Sequence, residues 1–486
     1  MSIITERGIR VPAQHPLREI DDLPSPKGVP FFGSALQLRS QRIHAQVEAW
    51  GRQYGDLFRL QIGRRSLLVL SDHELIGEIL RDRPDGFRRN PLTERIGREI
   101  GLKPGVFSAE GDAWKRQRRM VMSGFDPSHI NAYFEDLVKV CARLERRWAR
   151  AAERGDAIDL QADLMLFTVD AVSGLAFGVD INTLESDDEV IQKHLDRIFP
   201  TLRRRLFAAF PTWRWLPTPA DRALERSVKV VHDAISGFID QARKRLEDPS
   251  RRANPKNLLE VLIVAAESSE TSATDDEISG NVMTMLLAGE DTTANTLAWM
   301  IYLLHRSPSA LAKVRKEIDN LARTPASWKM ETFVQAKYLD ACANETMRLK
   351  PVAPFMVLQA LRERVLRDVR VPEGTLLWLV MRGDSVDEKY FQDAQVFRPE
   401  RWLDGKPQRS ASSPSRVAMP FGAGPRVCPG RHLAMLEMKM ALTTVLGAFD
   451  IEDVSTPDGR EPLEVFSFTM APQGLSMKLK RRVTTG

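Results

Sequence analysis

The stretch from Thr274 to about Leu304 places the tightest limit on what this chain can fold into. Thr274-Asp275-Asp276-Glu277 is a capping box, with threonine at the N-cap, glutamate at N3 and acidic residues favoured by the helix dipole. The helix it opens is apolar on all sides through Val282-Met283-Thr284-Met285-Leu286-Leu287-Ala288-Gly289. A helix with no polar face belongs inside a core. Into this dry stretch the chain inserts Glu290, Asp291, Thr292 and Thr293. Burying acids costs free energy unless they have partners or a task. Gly289 weakens the helix locally, and the Thr292 hydroxyl can reach the carbonyl of Ala288 four residues back and bend it. Taken alone, the four residues fit two readings equally. They form a polar turn on an exposed face, or a groove whose hydroxyl and carboxylate suit a small ligand and a short water chain.

The rest of the chain reads as mainly helical with small sheets attached, not as an alternating βαβ series. Apolar residues recur at three- and four-residue spacing in Leu137–Trp148 and Val228–Leu246. Leu57 to Leu70 reads as a hairpin turning at Gly63-Arg64-Arg65, a β-rich portion lies between Val365 and Val380, and Val465–Leu479 reads as a closing hairpin. Lys406–Arg416 is polar and loop-like. No Gly/Ser- or Pro-rich linker divides the 486 residues, so residues 23–486 are expected to form one large domain. Residues 1–22 are charged throughout and read as an extension without a membrane anchor. Cys141, Cys342 and Cys428 are odd in number and scattered, which argues against a disulfide framework and for a reducing, cytoplasmic setting.

Of the three cysteines, Cys428 stands out. Phe421-Gly422-Ala423-Gly424-Pro425-Arg426-Val427-Cys428-Pro429-Gly430 is a glycine- and proline-cornered loop just before an apolar helical stretch. Glycines 422, 424 and 430 let the backbone turn and permit close approach to a flat ligand, while Pro425 and Pro429 stiffen it. A helix starting near Gly430 would stabilise an anionic sulfur, and such a thiolate is a strong axial ligand for heme iron. A buried free cysteine is the commoner fate of a lone cysteine. Phe421, Gly422, Gly424, Arg426, Cys428 and Gly430 match the heme-binding loop of the cytochrome P-450 superfamily, and the chain resembles that family along nearly its whole length.

The resemblance implies a heme cofactor with Cys428 as its metal ligand, and Phe421, Gly422, Gly430 and Ala288 beside it. Ala288-Gly289-Glu290-Asp291-Thr292-Thr293 resembles the family's oxygen-activation motif. By that resemblance Thr292 stabilises the iron-bound hydroperoxide, Asp291 relays protons from solvent, and Glu290 falls on a variable position. Trp114, Arg118 and Arg426 become donors to heme carboxylates, for which arginine suits better than lysine. Glu345-Thr346-Met347-Arg348 looks like the family's Glu-x-x-Arg helix, and Phe397-Arg398-Pro399-Glu400-Arg401-Trp402 like the segment supplying a second arginine. Glu345, Arg348 and Arg401 would then form a buried structural triad. One departure is that Pro351–Ala360 lacks the basic residue many relatives place against a carboxylate, so either Gln359 fills the position or the contact is missing.

The activity implied is a heme-thiolate monooxygenase that takes electrons from separate redox proteins. Peroxide-driven or non-oxygenase chemistry on the same heme is the alternative, and a heme-binding sensor a lesser one. A net charge of +5 with no zinc-finger spacing or aromatic-interleaved basic motif fits an acidic ferredoxin or flavodoxin-type donor, with its NAD(P)H reductase, better than nucleic acid. Lys115, Arg116, Arg119, Arg431 and Lys439 are the expected docking face. Met283, Leu287, Ala353, Phe355, Met356, Val357, Phe468, Thr469 and Met470 are the expected pocket, nearly all apolar, for a small apolar substrate. The segment 206–217, with Trp213 and Trp215 beside arginines, reads as a lid or as a patch touching a membrane surface.

Overall fold

The long helix forms as its caps dictate. In the computed structural model it runs Asp275–His305, with the Thr274 hydroxyl accepting from the Glu277 amide and the Glu277 carboxylate accepting from the Thr274 amide. The structure describes residues 17–482 except 64, 187–189, 207, 209–210, 268–272, 322–324, 326–327 and 404–412. The helix is continuous through Gly289, so the glycine does not interrupt it. Its role is contact: a Cβ there would lie 2.5 Å from a methyl of Val172, on the neighbouring helix Leu160–Phe177. That neighbour is long and apolar enough to cross a membrane, but 78% of it is buried inside the protein, the mark of a core helix.

Around this pair pack the helices Pro127–Arg154, Pro219–Arg245, Lys337–Leu349 and Arg431–Ala448. The first and second contain the two stretches whose spacing predicts helix. The result is a mainly α, single-domain fold with small sheets. Its largest sheet orders Leu57–Ile62, Arg65–Leu70, Leu376–Val380, Phe355–Ala360 and Phe87–Arg89, antiparallel except where Arg65–Leu70 meets Leu376–Val380.

Two expectations change. The closing hairpin is shorter than read: Glu464–Phe466 pairs with Met470–Pro472, and Ser476–Arg481 instead joins Phe449–Ser455 and Ile158–Asp159 in a separate sheet. The β-rich portion also splits, since Arg364–Leu366 pairs with Val369–Val371 and Leu376–Val380 belongs to the large sheet. Most of 406–416 and the terminal residues 1–16 lie outside the described residues, and Pro414–Ala418 is a short helix.

Candidate active site

Cys428 sits where the 421–430 loop enters the helix Arg431–Ala448. Gly422 and Gly424 have φ of 75° and 71°, a region glycine occupies without strain, and a Cβ on Gly424 would fall 2.4 Å from the Leu80 carbonyl oxygen. Gly430 differs from the sequence reading. It is the N-cap at φ −82°, and a Cβ there would make ordinary contact with Phe125. The turn itself does not require it. Burial pushes the Cys428 thiol up, and a hydrogen bond from the Gly430 amide and the charges of Arg118 and Arg431 hold it down. Cys141 and Cys342 are also pushed up by burial, and no cation offsets the effect there.

Beside the loop, three guanidinium groups crowd around one carboxylate. Arg426 donates to the Ala109 carbonyl at 2.7 Å and to Glu110 at 2.5 Å, and lies over Trp114 with Cζ 4.6 Å from the ring centroid. The Arg89 amide donates to the other Glu110 oxygen at 2.9 Å, and its guanidinium lies 3.6 Å over Phe107. Arg83, 2% exposed, reaches Met356 Sδ at 3.4 Å. Its Nε and Nη2, and the Nε atoms of Arg89 and Arg426, are buried without a partner among the described residues. Burial, reinforced by the neighbouring arginines, lowers Arg83 to about 8 and Arg89 to about 10. Three cations against Glu110 leave an excess of two positive charges. Unmet donors and surplus charge in a buried site are costly unless a ligand meets them. The two carboxylates of a heme would balance both, so these residues fit the group.

Arg83 and Arg89 escaped the sequence reading, because nothing in Arg81-Asp82-Arg83-Pro84-Asp85-Gly86-Phe87-Arg88-Arg89 separates them from a charged surface turn. Gln359 does not take the carboxylate-facing role. Its Oε1 accepts from Arg88 at 2.8 Å and its Nε2 donates to Gly374. Arg118 donates to the Val427 carbonyl at 2.7 Å, bracing the loop that carries the cysteine.

On the long helix, the Thr292 hydroxyl donates to Ala288 O at 2.7 Å. Asp291 is buried rather than solvent-facing. Asn295 Nδ2 donates to its Oδ1 at 2.8 Å, and the Thr469 hydroxyl donates to Oδ2. Burial raises its proton affinity against those two hydrogen bonds. Thr293 bonds a second buried acid, Glu437, which burial pushes up to about 8. Glu437 went unread in the sequence although an acid amid Leu433–Leu446 is a visible anomaly.

A cavity of about 480 Å³ adjoins this helix, lined by Met283, Leu287, Ala288 and Phe468 together with Leu102 and Phe107. Other expected lining residues are elsewhere. Strand alternation turns Phe355 toward Trp378 and Phe466, at 4.6 and 4.7 Å between centroids, and Val357 packs in the same cluster. Met356 faces Arg83, Thr469 faces Asp291, Met470 is fully buried in its strand, and Ala353 is not among the lining residues.

The cytochrome P450 family model matches residues 23–479. The chain belongs to the cytochrome P450 family. It is 26% identical to LUTEIN DEFICIENT 5 of Arabidopsis thaliana over 88% of this chain and 72% of that protein. Its identity to cytochrome P450 3A6 of Oryctolagus cuniculus is 27% (88% and 86% covered), and to thromboxane-A synthase of Sus scrofa 27% (91% and 88% covered). The chain is therefore an oxidoreductase of the heme-thiolate monooxygenase class, with heme and a cysteine thiolate as its cofactor chemistry. LUTEIN DEFICIENT 5 is chloroplastic by name, so the cytoplasmic expectation finds no support in it.

Within this P450 scaffold Glu345 is saturated. Arg348 donates to it at 2.7 and 2.8 Å, Arg401 and the Arg398 amide at 2.9 Å, and Trp402 at 2.8 Å. The expected docking face loses Lys439, and Arg116 is drawn into an ion pair. Lys439 is buried, donating to Phe333 O at 2.6 Å and pairing with Asp340 at 2.9 Å, because its position on the helix faces the core. Arg116 pairs at 2.7 Å with Glu277 on the long helix. Lys115, Arg119 and Arg431 are exposed.

Proposed function

We propose that this P450 inserts one atom of dioxygen into an apolar organic substrate, by hydroxylation or epoxidation. In this reading Cys428 ligates the iron, and Arg83, Arg89, Arg426, Arg118 and Trp114 hold the heme carboxylates. When bound, the heme supplies dioxygen activation with two electrons from a separate donor. The observation that carries the reading is one helix face: Ala288 lines the apolar cavity, and Thr292 lies one turn further along. The Thr292 proton is engaged by Ala288 O, so its oxygen is left to accept a hydrogen bond from a water in the groove. Asp291, in a dry setting one residue away, is placed to pass on the next proton. Leu102, Phe107, Met283, Leu287 and Phe468 give the cavity a mostly apolar wall, with Glu94, Arg98, Lys103 and Asp276 also in its lining, and favour a bulky terpenoid, steroid, lipid or aromatic molecule. An acidic ferredoxin or flavodoxin-type donor fits exposed Lys115, Arg119 and Arg431.

The test starts with a panel of such compounds, scored by the Soret shift that accompanies loss of iron-bound water. Hits are then turned over with a surrogate ferredoxin, its reductase and NADPH. Product formed in proportion to NADPH consumed is the expected result. Turnover with peroxide but none with NADPH would replace this reading with the peroxide-driven one.

A further inference from the structure

Phe468 and Thr469 are adjacent at the tip of the 464–472 hairpin, yet they serve different surroundings. Phe468 lines the apolar cavity, 5.8 Å from Phe107, while the Thr469 hydroxyl donates to the buried carboxylate of Asp291. The tip is tight, with the Ser467 amide bonded to the Thr469 carbonyl at 3.0 Å. Displacing one side chain therefore displaces the other. Asn295 completes a closed ring, its Nδ2 donating to Asp291 at 2.8 Å and to Thr469 Oγ1 at 3.1 Å. Its amide is oriented by Gln161, whose Nε2 donates to Asn295 Oδ1 at 2.8 Å. The two side chains that hydrogen-bond the acid are neutral donors, and they act against its burial. Glu437, on the helix Arg431–Ala448, is engaged with Thr293, and among the described residues no charged side chain shifts Asp291.

We infer that Thr469 is a positioning residue that sets the proton affinity of Asp291 and couples it to occupancy of the pocket through Phe468. The inference rests on the proposed function for its consequence, not for its geometry. A hydroxyl donating to a carboxylate stabilises the charged form, so drawing it away favours the protonated acid. A ligand that presses Phe468 outward draws Thr469 off Oδ2. Asp291 then takes up a proton from the buffered solvent and holds it for the groove beside Thr292. An empty pocket leaves the acid locked in its ring of hydrogen bonds with Thr469 and Asn295. The step is proton transfer alone and needs no further reactant.

The experiment uses the heme-loaded full chain, with Thr469→Val, Thr469→Ser and Asp291→Asn. The readout is the carboxylic-acid infrared band that Asp291→Asn removes, titrated against pH with and without clotrimazole as a pocket-filling probe. Thr469→Val should raise the proton affinity of Asp291 about tenfold, and Thr469→Ser should restore the wild-type titration. Clotrimazole should shift wild type in the same direction and leave Thr469→Val unmoved. An unshifted band in a folded, heme-loaded Thr469→Val would overturn the inference, as would an equal clotrimazole shift in both proteins. If the band shifts as expected while Asp291→Asn keeps full coupling of NADPH to product, the positioning role stands and the proton-delivery part of the proposed function fails.

Discussion

The Thr292 hydroxyl gives its proton to Ala288 O and so meets the groove as an acceptor. Thr292→Ala should keep heme and substrate binding but release peroxide where product was made, lowering coupling at least about tenfold. Peroxide and product assayed per NADPH check this, and wild-type coupling would remove Thr292 from the chemistry. Arg83 is the residue whose burial the sequence least announces, since an arginine before a proline and an aspartate looks like surface. Its two unpartnered donors call for an anion. Arg83→Met should therefore lose heme several-fold faster to apomyoglobin, with the Soret position of the retained heme unchanged. Equal loss rates would show that the arginine has no hold on the cofactor.

At the scale of elements, the legible features were those set by local chemistry. The capping box, the helix it opens, the 57–70 hairpin and the cysteine loop all follow from neighbours in sequence. Missed were the faces. Phe355 and Val357 point away from the pocket because a strand alternates, and which side meets the cavity depends on partners far along the chain. The lid reading of 206–217 meets a similar split. Trp213 and Arg214 bond Glu99 at 3.1 and 2.6 Å, whereas Trp215 and Leu216 are exposed, and residues 207, 209 and 210 lie outside the described residues. The helix Leu258–Ala266 carries a pH-dependent clamp. Glu260 accepts from Arg245, Arg251 and the Lys256 amide, and these bonds hold it down to about 2 against the burial that raises it. A carboxylate with a depressed folded-state value stabilises above its unfolded value and loses that contribution as pH falls through the folded one. Thermal midpoints of wild type should thus fall between about pH 4.5 and 2. Glu260→Gln should start lower at neutral pH and fall less steeply, and parallel slopes would contradict the clamp.

Across the whole molecule, charge and burial divide the basic residues in a way that composition conceals. The sequence shows an excess of +5, yet Lys439, Arg348 and Arg401 are spent on internal contacts. Lys115, Arg119 and Arg431 remain exposed. Changing these three to glutamate should slow first-electron transfer from an acidic ferredoxin, and wild-type transfer should weaken as salt rises. Stopped-flow rates that ignore salt would point to apolar docking. The heme chemistry depends on one sulfur. The most direct measurement is the spectrum of the reduced carbon monoxide complex of wild type and Cys428→Ala. Wild type should show the far-red-shifted Soret band of thiolate ligation and the variant should lack it, whereas an unchanged band in Cys428→Ala would contradict the account.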